Sequence, residues 1–399
     1  MAYADVAAAL TIADSLKQQT WNAKLQEESA TGDIFSQNSG IYNDDIKQVP
    51  DAIVMKVKGS TVKNTIGMLS RLSGVAQQGV GELRGNEEVQ ATREMELYAN
   101  EWFHGVPTAK YGLQKVKQDP YKVYAMAQPQ LSMWGKETRG MKIRQALVQR
   151  IDGSQSASLT PDAGNGGSTG LALATRINPN FAFGGNSPIV YDSTAADYQT
   201  AIVAGISAAT VLNKAALDKI EELAASNFEL EQVTVDGRLC WVLTVPTRQK
   251  TLLRTAGTGT YLELLKDGDV RGSNNRAIAN VLGRYGSLVL VEDMRYPIMT
   301  NTTGTLSFAY KGAGQADDRN LAAAATRFDL AFLLGKGAVA DYEVETLHFE
   351  DEVQNYNRNW GIGAFTTQGY TRCDFDNLSS PTDTSIRNQS SAVIALKQS

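Results

Sequence analysis

The sequence predicts a mixed helix and strand protein, of α/β or α+β class, arranged as one elongated domain with sub-lobes or as two domains. Three observations predict it: a helix-length apolar stripe between residues 119 and 150, period-two stretches on either side of it, and a helix and strand succession beyond residue 212. A chain of 399 residues exceeds one ordinary domain and falls short of three. Hydrophobic residues make up 42% and charged residues 20%, close to the folded globular average, and 35 glycines against 10 prolines predict many tight turns.

Taken in order, Tyr3 to Leu16 reads as a short amphipathic helix, with Val6, Leu10, Ile12 and Leu16 near one another on a wheel. The polar stretch that follows, through Gln48, reads as an extended arm with few apolar anchors, one that a neighbour must order. Ile53, Met55 and Val57 alternate with Val54, Lys56 and Lys58, and Met95, Leu97 and Ala99 alternate with Glu94, Glu96 and Tyr98; both stretches predict strands. The glycine- and charge-rich segment between them, Ser60 to Gln90, predicts the tip of a projecting β-hairpin.

Asp119 to Arg150 is the strongest helix. Val123, Ala127, Leu131, Trp134, Thr138, Met141, Gln145 and Val148 draw a mostly apolar stripe along a rod of about 45 Å. Asp119 suits the cap, Pro120 the first turn and Gly153 the end, while Pro129 predicts a kink or restart. Ile151 to Tyr191, with its Gly164 to Gly170 run, is irregular and marks a lobe boundary. Beyond it, Asn213 caps a helix with Leu217, Ile220 and Leu223 inward, Cys240 to Val245 and Ser287 to Val291 read as buried strands, and Gly283 to Gly286 is the turn into the second. Leu321 to Leu334 reads as a second amphipathic helix closed by Gly335 and Lys336. Asp341 to Phe349 and Trp360 to Phe375 read as strands returning to the first lobe, and the polar tail from Asn377 ends in an apolar stretch from Val393 to Leu396.

Several function classes find no support in these residues. A formal charge of -5 argues against a DNA reader, which needs a basic stripe to displace counterions. Cys240 and Cys373 have no second cysteine or histidine at ligand spacing, which predicts no disulfide framework and no metal site. The acidic N-terminus and the short run from Ala7 to Ile12 predict no secretory signal, and no apolar run approaches the ~20 residues of a membrane span.

His104 and His348 are the only histidines, and neither stands in a nucleophile-elbow context, so no catalytic residue is assigned. The Gly164 to Gly170 run lacks the Gly-Lys-Ser/Thr of a phosphate loop and predicts no bound cofactor. Acid clusters at Asp44-Asp45, Glu87-Glu88, Asp267-Gly268-Asp269 and Glu350-Asp351-Glu352 lack calcium-loop spacing and read as solvated faces or intersubunit ion pairs. Trp102-Phe103-His104 and the tyrosines around it, with no basic groove, read as core or interface aromatics rather than base-stacking groups.

The order of arm, hairpin, dominant helix, second lobe and returning strands resembles the HK97-like fold of tailed-phage major capsid proteins. Leu83-Arg84-Gly85-Asn86-Glu87-Glu88, Val281 to Glu292 with Arg295-Tyr296-Pro297, Leu334 to Ala338 and Asn359 to Gly363 are similar to landmarks of the N4-like podovirus group. The resemblance covers roughly residues 50 to 375.

What it implies is an α+β, HK97-like fold with an N-terminal arm over 1–51, an E-loop hairpin over 52–115, a P-domain with its spine helix over 116–200, an A-domain over 201–335, and a P-domain return with a C-terminal tail over 336–399. The implied function is a structural, non-enzymatic subunit forming hexamers and pentamers of an icosahedral head, assembled in the host bacterial cytoplasm and found in the virion. Its implied partners are itself, portal and scaffolding proteins, a decoration protein where one exists, and the double-stranded DNA it encloses without sequence-specific binding; no membrane is implied. Arg84, Glu87 and Glu88 are the expected hairpin contacts and Trp21 the expected arm anchor. The competing readings are a carbohydrate-active hydrolase using Glu350 and Glu352 as paired carboxylates, and a tail or decoration protein.

Overall fold

A computed structural model describes residue 35 and residues 38–43, 48–69, 92–107, 120–148, 189–190, 212–226, 230–235, 237–255, 281–302, 305–310, 326–354, 359–373 and 391–397. Within these, two sheets and a two-stranded hairpin are organised around one long helix.

The smaller sheet is built from β1 (Ser39–Ile41), β2 (Val54–Lys58), β5 (Asn100–Pro107), β14 (Val339–Gln354) and β15 (Asn359–Arg372), in the order β1-β2-β14-β15-β5. Its first three strands run parallel, and β14 and β15 form a long antiparallel hairpin with Val339 opposite Arg372 and Gln354 opposite Asn359. The predicted alternation in β2 is observed: Met55 and Val57 pack with Tyr42, Ala340 and Tyr342 on one face, while Lys58 is exposed. That packed face receives the hairpin of β3 (Lys63–Leu69) and β4 (Thr92–Tyr98), which contributes Ile66, Met95 and Leu97. The hairpin tip lies outside the described residues.

The helix α1 (Pro120–Val148) crosses the other face of this sheet. It is continuous through Pro129, so the expected restart does not occur; Pro129 is exposed, and its missing amide donor costs one bond on the solvent side. Ala127, Leu131 and Met141 of the predicted stripe are buried, and Trp134, Thr138 and Gln145 are half-buried. From Gly140 to Arg144 burial extends all round, because Ile143, Ala146 and Leu147 enter a core shared by both sheets. At Gly135 a Cβ would stand 2.7 Å from Leu347 Cδ2, so the absent side chain sets how closely α1 approaches β14.

The larger, nine-stranded sheet follows the order β12-β11-β13-β8-β10-β9, with β16, β6 and β7 attached off that path. Its members are β6 (Ile189–Val190), β7 (Val233–Val235), β8 (Arg238–Pro246), β9 (Val281–Tyr285), β10 (Leu288–Asp293), β11 (Ile298–Thr302), β12 (Thr305–Ala309), β13 (Thr326–Leu334) and β16 (Ser391–Lys397). Two helices flank it, α2 (Lys214–Ser226) and α3 (Thr247–Thr255).

The Asn213 cap is present, its Oδ1 accepting from the Ala216 amide at 2.8 Å. Asn213→Ala therefore costs about 1 kcal/mol, checked by thermal unfolding against a Lys214→Ala control. Leu217, Ile220 and Ala224 carry the inward face of α2. The turn between β9 and β10 places Gly286 at φ 54, a left-handed value that favours glycine.

Three sequence expectations are corrected. The hairpin strand opposite Thr92–Tyr98 is Lys63–Leu69, inside the segment expected to be the tip, whereas Val54–Lys58 pairs with β1 and β14 in the smaller sheet. Residues 326–334 are a strand, not the end of a helix, while 321–325 lie outside the described residues. Phe328, Leu330, Phe332 and Leu334 face the core shared with α1, and Ala331 and Leu333 face the core under α2. A short apolar run buried on both faces carries no period that separates helix from strand. The stretch Val393 to Leu396, expected to end a polar tail, is the middle of β16, hydrogen-bonded along β13 from Lys397 opposite Phe328 to Ser391 opposite Leu334. The chain passes from β13 to β14 through residues 335–338, with Gly337 at φ 64 donating its amide to Ala52 O at 2.7 Å.

Candidate interaction surfaces

Period two divides the smaller sheet into two chemically different faces. On the face toward α1, β5 presents Trp102, His104 and Val106, and β15 presents Ile362, Ala364, Thr366, Gln368 and Tyr370. Ala127, Leu131, Leu347, Phe349, Ile362 and Ala364 close the far end as a small core, where His104 stacks on Trp134 at 5.1 Å.

Between that core and the edge strand β1 the two layers part, leaving a cleft of about 490 Å³. Among the described residues its charged lining comes from Lys56 and Lys58 on β2, Arg139 and Lys142 on α1, and Asp341 and Glu343 on β14. Arg139 Nη2 donates to Asp341 Oδ2 at 2.8 Å, and the other Asp341 oxygen is buried without a hydrogen-bond partner. Lys142 is 2% exposed, its ammonium lying 4.1 Å from the centroid of the Trp102 ring. Burial pushes the Lys142 ammonium down to about 8. Burial and then the Asp341 charge raise the Glu343 carboxyl above its ordinary value, against the pull of Lys58, Lys56 and Arg139. Tyr370, fully buried beside Asp341, is raised well above the usual phenol value. The cleft thus gathers charges of both signs, several of them buried, between α1 and the smaller sheet.

The opposite face is covered at one end by the β3-β4 hairpin and open at the other. There Phe103 is 66% exposed and stacks on Phe365 at 6.1 Å, and Phe365 stacks in turn on His348 at 6.1 Å. His348 Nε2 lies 3.5 Å from Glu350 Oε1 and 3.8 Å from Glu345 Oε1. Strand β5 forms the edge here, pairing with β15 alone among the described residues. An aromatic cluster on a sheet face beside a strand that is an edge among the described residues is a docking geometry, since exposed apolar surface calls for a partner.

Of the residues singled out in the sequence, Trp21, Arg84, Glu87 and Glu88 lie outside the described residues. Trp102, Phe103 and His104 are divided by the strand period, with Trp102 buried and donating Nε1 to Gln368 O at 2.9 Å while Phe103 faces out. Glu350, half of the hydrolase alternative, is exposed on the open sheet face rather than in a cleft, and Glu352 stands opposite Gly361 in the ladder. Cys240 and Cys373 are buried thiols not joined in a disulfide, and Cys240 Sγ donates to Val233 O at 3.5 Å. Among the described residues, no three His, Cys, Asp or Glu side chains are grouped to hold a metal ion, and no helix is long and apolar enough to cross a membrane.

The members of the cleft escape the sequence because they come from three distant segments. One local signal exists: steps of four from Trp134 lead through Thr138 to Lys142, which places a basic residue on the same helix face as the tryptophan.

A long helix lying on a five-stranded sheet, a hairpin projecting from its other face and a second mixed sheet docked at the helix end define a class, the α+β HK97-like fold of tailed-phage capsid proteins. The particular likenesses run over nearly the whole chain. The capsid of Ralstonia phage GP4 superposes with a TM-score of 0.63 at 14% identity, covering 91% of this chain and 90% of that one. The capsid asymmetric unit of cyanophage Pam1 gives 0.58 at 15%, covering 92% and 93%, and the acidic stable capsid of Helicobacter pylori bacteriophage KHP30 gives 0.56 at 12%, covering 92% and 90%. No protein-family model matches the chain, and no curated protein matches it.

Proposed function

We propose that this chain is the major capsid protein of a tailed phage, a structural subunit without an active site that assembles as hexamers and pentamers into an icosahedral head around double-stranded DNA. The observation that carries it is the extent of the likeness: about nine-tenths of this chain matches about nine-tenths of each capsid chain, more than any one sheet or lobe. Supporting it are the exposed aromatic cluster and strand β5, which pairs with β15 alone among the described residues, surfaces that a second copy satisfies.

In this reading residues 1–51 are the arm, 52–115 the E-loop hairpin, 116–200 and 336–399 the P-domain parts and 201–335 the A-domain, with β1 and β16 anchoring arm and tail to the two sheets. Arg84, Glu87 and Glu88 at the hairpin, and Trp21 in the arm, meet neighbouring copies. Portal and scaffolding proteins, and a decoration protein where one exists, complete the partner set. Assembly takes place in the host cytoplasm, and the product is the virion shell. The chain's formal charge of -5 fits DNA held by enclosure rather than by local binding.

The test uses Phe103→Asp, which removes the exposed ring and puts a charge on the open face. Because Phe103 is exposed, unfolding stability should stay within about 0.5 kcal/mol of wild type. Sedimentation should show that the variant, co-expressed with its scaffold, remains as free subunits or capsomers while wild type forms shells. Wild-type yield of normal shells from the variant would remove this face from the account.

A further inference from the structure

Two tyrosine hydroxyls tie the β3-β4 hairpin to the rest of the subunit, and they come from very different supports. Tyr342 on β14, fully buried, donates its hydroxyl to Thr61 O at 2.6 Å, at the root of the hairpin. There Gly59 donates its amide to Glu343 O at 3.1 Å, and a Cβ on Gly59 would stand 2.2 Å from Tyr342 Oη, so the root lies hard against β14. Tyr42, just past β1, is 7% exposed and donates its hydroxyl to Gly67 O within β3. Thr61 and Gly67 are six residues apart, about 20 Å along an extended strand, so the hairpin is held at its root and again well along its length.

We propose that Tyr42 is a releasable clasp coupling residues 38–43 to the hairpin: the hairpin loosens when this segment leaves β2, and the segment loosens when the hairpin lifts. The supports decide which tie gives way. Strand β14 has 16 residues and is paired with β2 on one side and β15 on the other. Strand β1 has 3 residues and pairs with β2 alone among the described residues. Within 38–43 the one buried residue is Tyr42, while its neighbour Ile41 is 70% exposed. The remaining hold is the Tyr42 amide on Lys56 O at 2.9 Å and Asn38, whose O and Oδ1 accept from the Val54 and Ile53 amides at 3.0 and 3.2 Å. Phe35 before the segment and Ile53 after it are fully buried and pin its ends, so its opening is a local event that leaves the sheets folded.

Packing makes the coupling run both ways. The Tyr42 ring shares one core with Ile66, Met95 and Leu97 of the hairpin and with Met55, Val57, Ala340 and Tyr342 of the smaller sheet. Withdrawing Tyr42 opens a hole in that core and takes a donor from Gly67 O; lifting the hairpin bares the Tyr42 ring to water. Each opening therefore favours the other by the same factor, and a partner that binds the open form of either element acts on the second. This coupling lies within one chain and holds whether or not the chain builds shells.

Hydrogen exchange on the full-length protein, read by mass spectrometry, tests it with two mild variants. Tyr42→Phe keeps the buried ring and removes only the hydroxyl. Exchange over Lys63–Leu69 and Thr92–Tyr98 should speed up roughly fivefold, while Leu288–Asp293 in the larger sheet stays at the wild-type rate. Ile66→Val trims only the hairpin side and should speed exchange over residues 38–43 by roughly threefold. Wild-type exchange of the hairpin in Tyr42→Phe overturns the proposal. So does acceleration of Leu288–Asp293 by the same factor, which makes Tyr42 a general stability contact. Loosening of the hairpin in Ile66→Val with no change over residues 38–43 overturns it too, because a coupling must be reciprocal.

Discussion

Replacing Asp293 by alanine destabilises the fold by roughly 3–5 kcal/mol, the largest effect expected of any single charge removal in the described structure. Asp293 ends β10, and its carboxylate takes both forks of Arg144, from Nε at 2.9 Å and Nη2 at 2.7 Å. It also accepts the Arg295 amide at 2.9 Å, while Arg144 Nη1 donates to Gly140 O at 2.8 Å. Both side chains are almost wholly buried, at 3% and 1% exposure, so truncation leaves a guanidinium in the interior without the two charge-assisted hydrogen bonds that Asp293 accepts. A second, more exposed pair, Arg295 with Glu137 at 2.8 Å, fastens the same helix to the same strand end and is worth far less.

This bidentate pair fixes α1, and with it the smaller sheet, against the larger one. Chemical denaturation of Asp293→Ala should show a lower midpoint with broadened cooperativity as the two sheets uncouple. The double variant Arg144→Met with Asp293→Leu should recover most of the loss, since two apolar side chains of similar volume remove both charges at once. A destabilisation below about 1 kcal/mol in the single variant contradicts the assignment of this pair as the junction.

Gly369→Ala is the second. A Cβ at Gly369 would stand 1.8 Å from Tyr98 O, 2.8 Å from Tyr98 C and 3.2 Å from Ala99 Cα, all of them backbone atoms. The place is the corner where the chain leaves the β3-β4 hairpin at Tyr98 and joins the sheet at Asn100, which pairs with Gln368. No rotamer change relieves such a contact, so the corner must lift away from β15 and disturb the ladder between Gly369 and Tyr342 on its other side. The cost should exceed about 4 kcal/mol, with low soluble yield as its visible form. Gly361→Ala on the same strand is the control: nothing lies within 4 Å of its Cβ, and the exchange should be neutral or stabilising by a few tenths of a kcal/mol. Equal yields and melting temperatures for the two variants would contradict the close crossing.

Where a segment has one wet face, its structure is legible in the sequence. The alternation of β2 and β4, the Asn213 cap and the long stripe of α1 all read correctly for that reason. β13 does not, because Phe328 to Leu334 are buried on both faces and erase the period, and the backbone partners that make the run a strand, β8, β11 and β16, lie tens of residues away. The strand β16 is hidden for the same cause: Val393 to Leu396 is too short a run to announce that it belongs in the larger sheet. For the interaction surfaces, period two in β5 already separates Phe103 from Trp102 and His104, so the outward aromatic is readable once the strand is accepted. The cleft is not readable, because its charges, from residues 56–58, 139–142 and 341–343, meet only through the parallel pairing of β2 with β14 beneath α1.

The measurement that bears most directly on the central claim is electron microscopy of the full-length protein expressed with its own scaffold. Closed icosahedral particles with five- and six-fold capsomers built from this chain alone are the expected result. Monodisperse monomers under every assembly condition, or open tubes and rings that carry no five-fold capsomers, would contradict it.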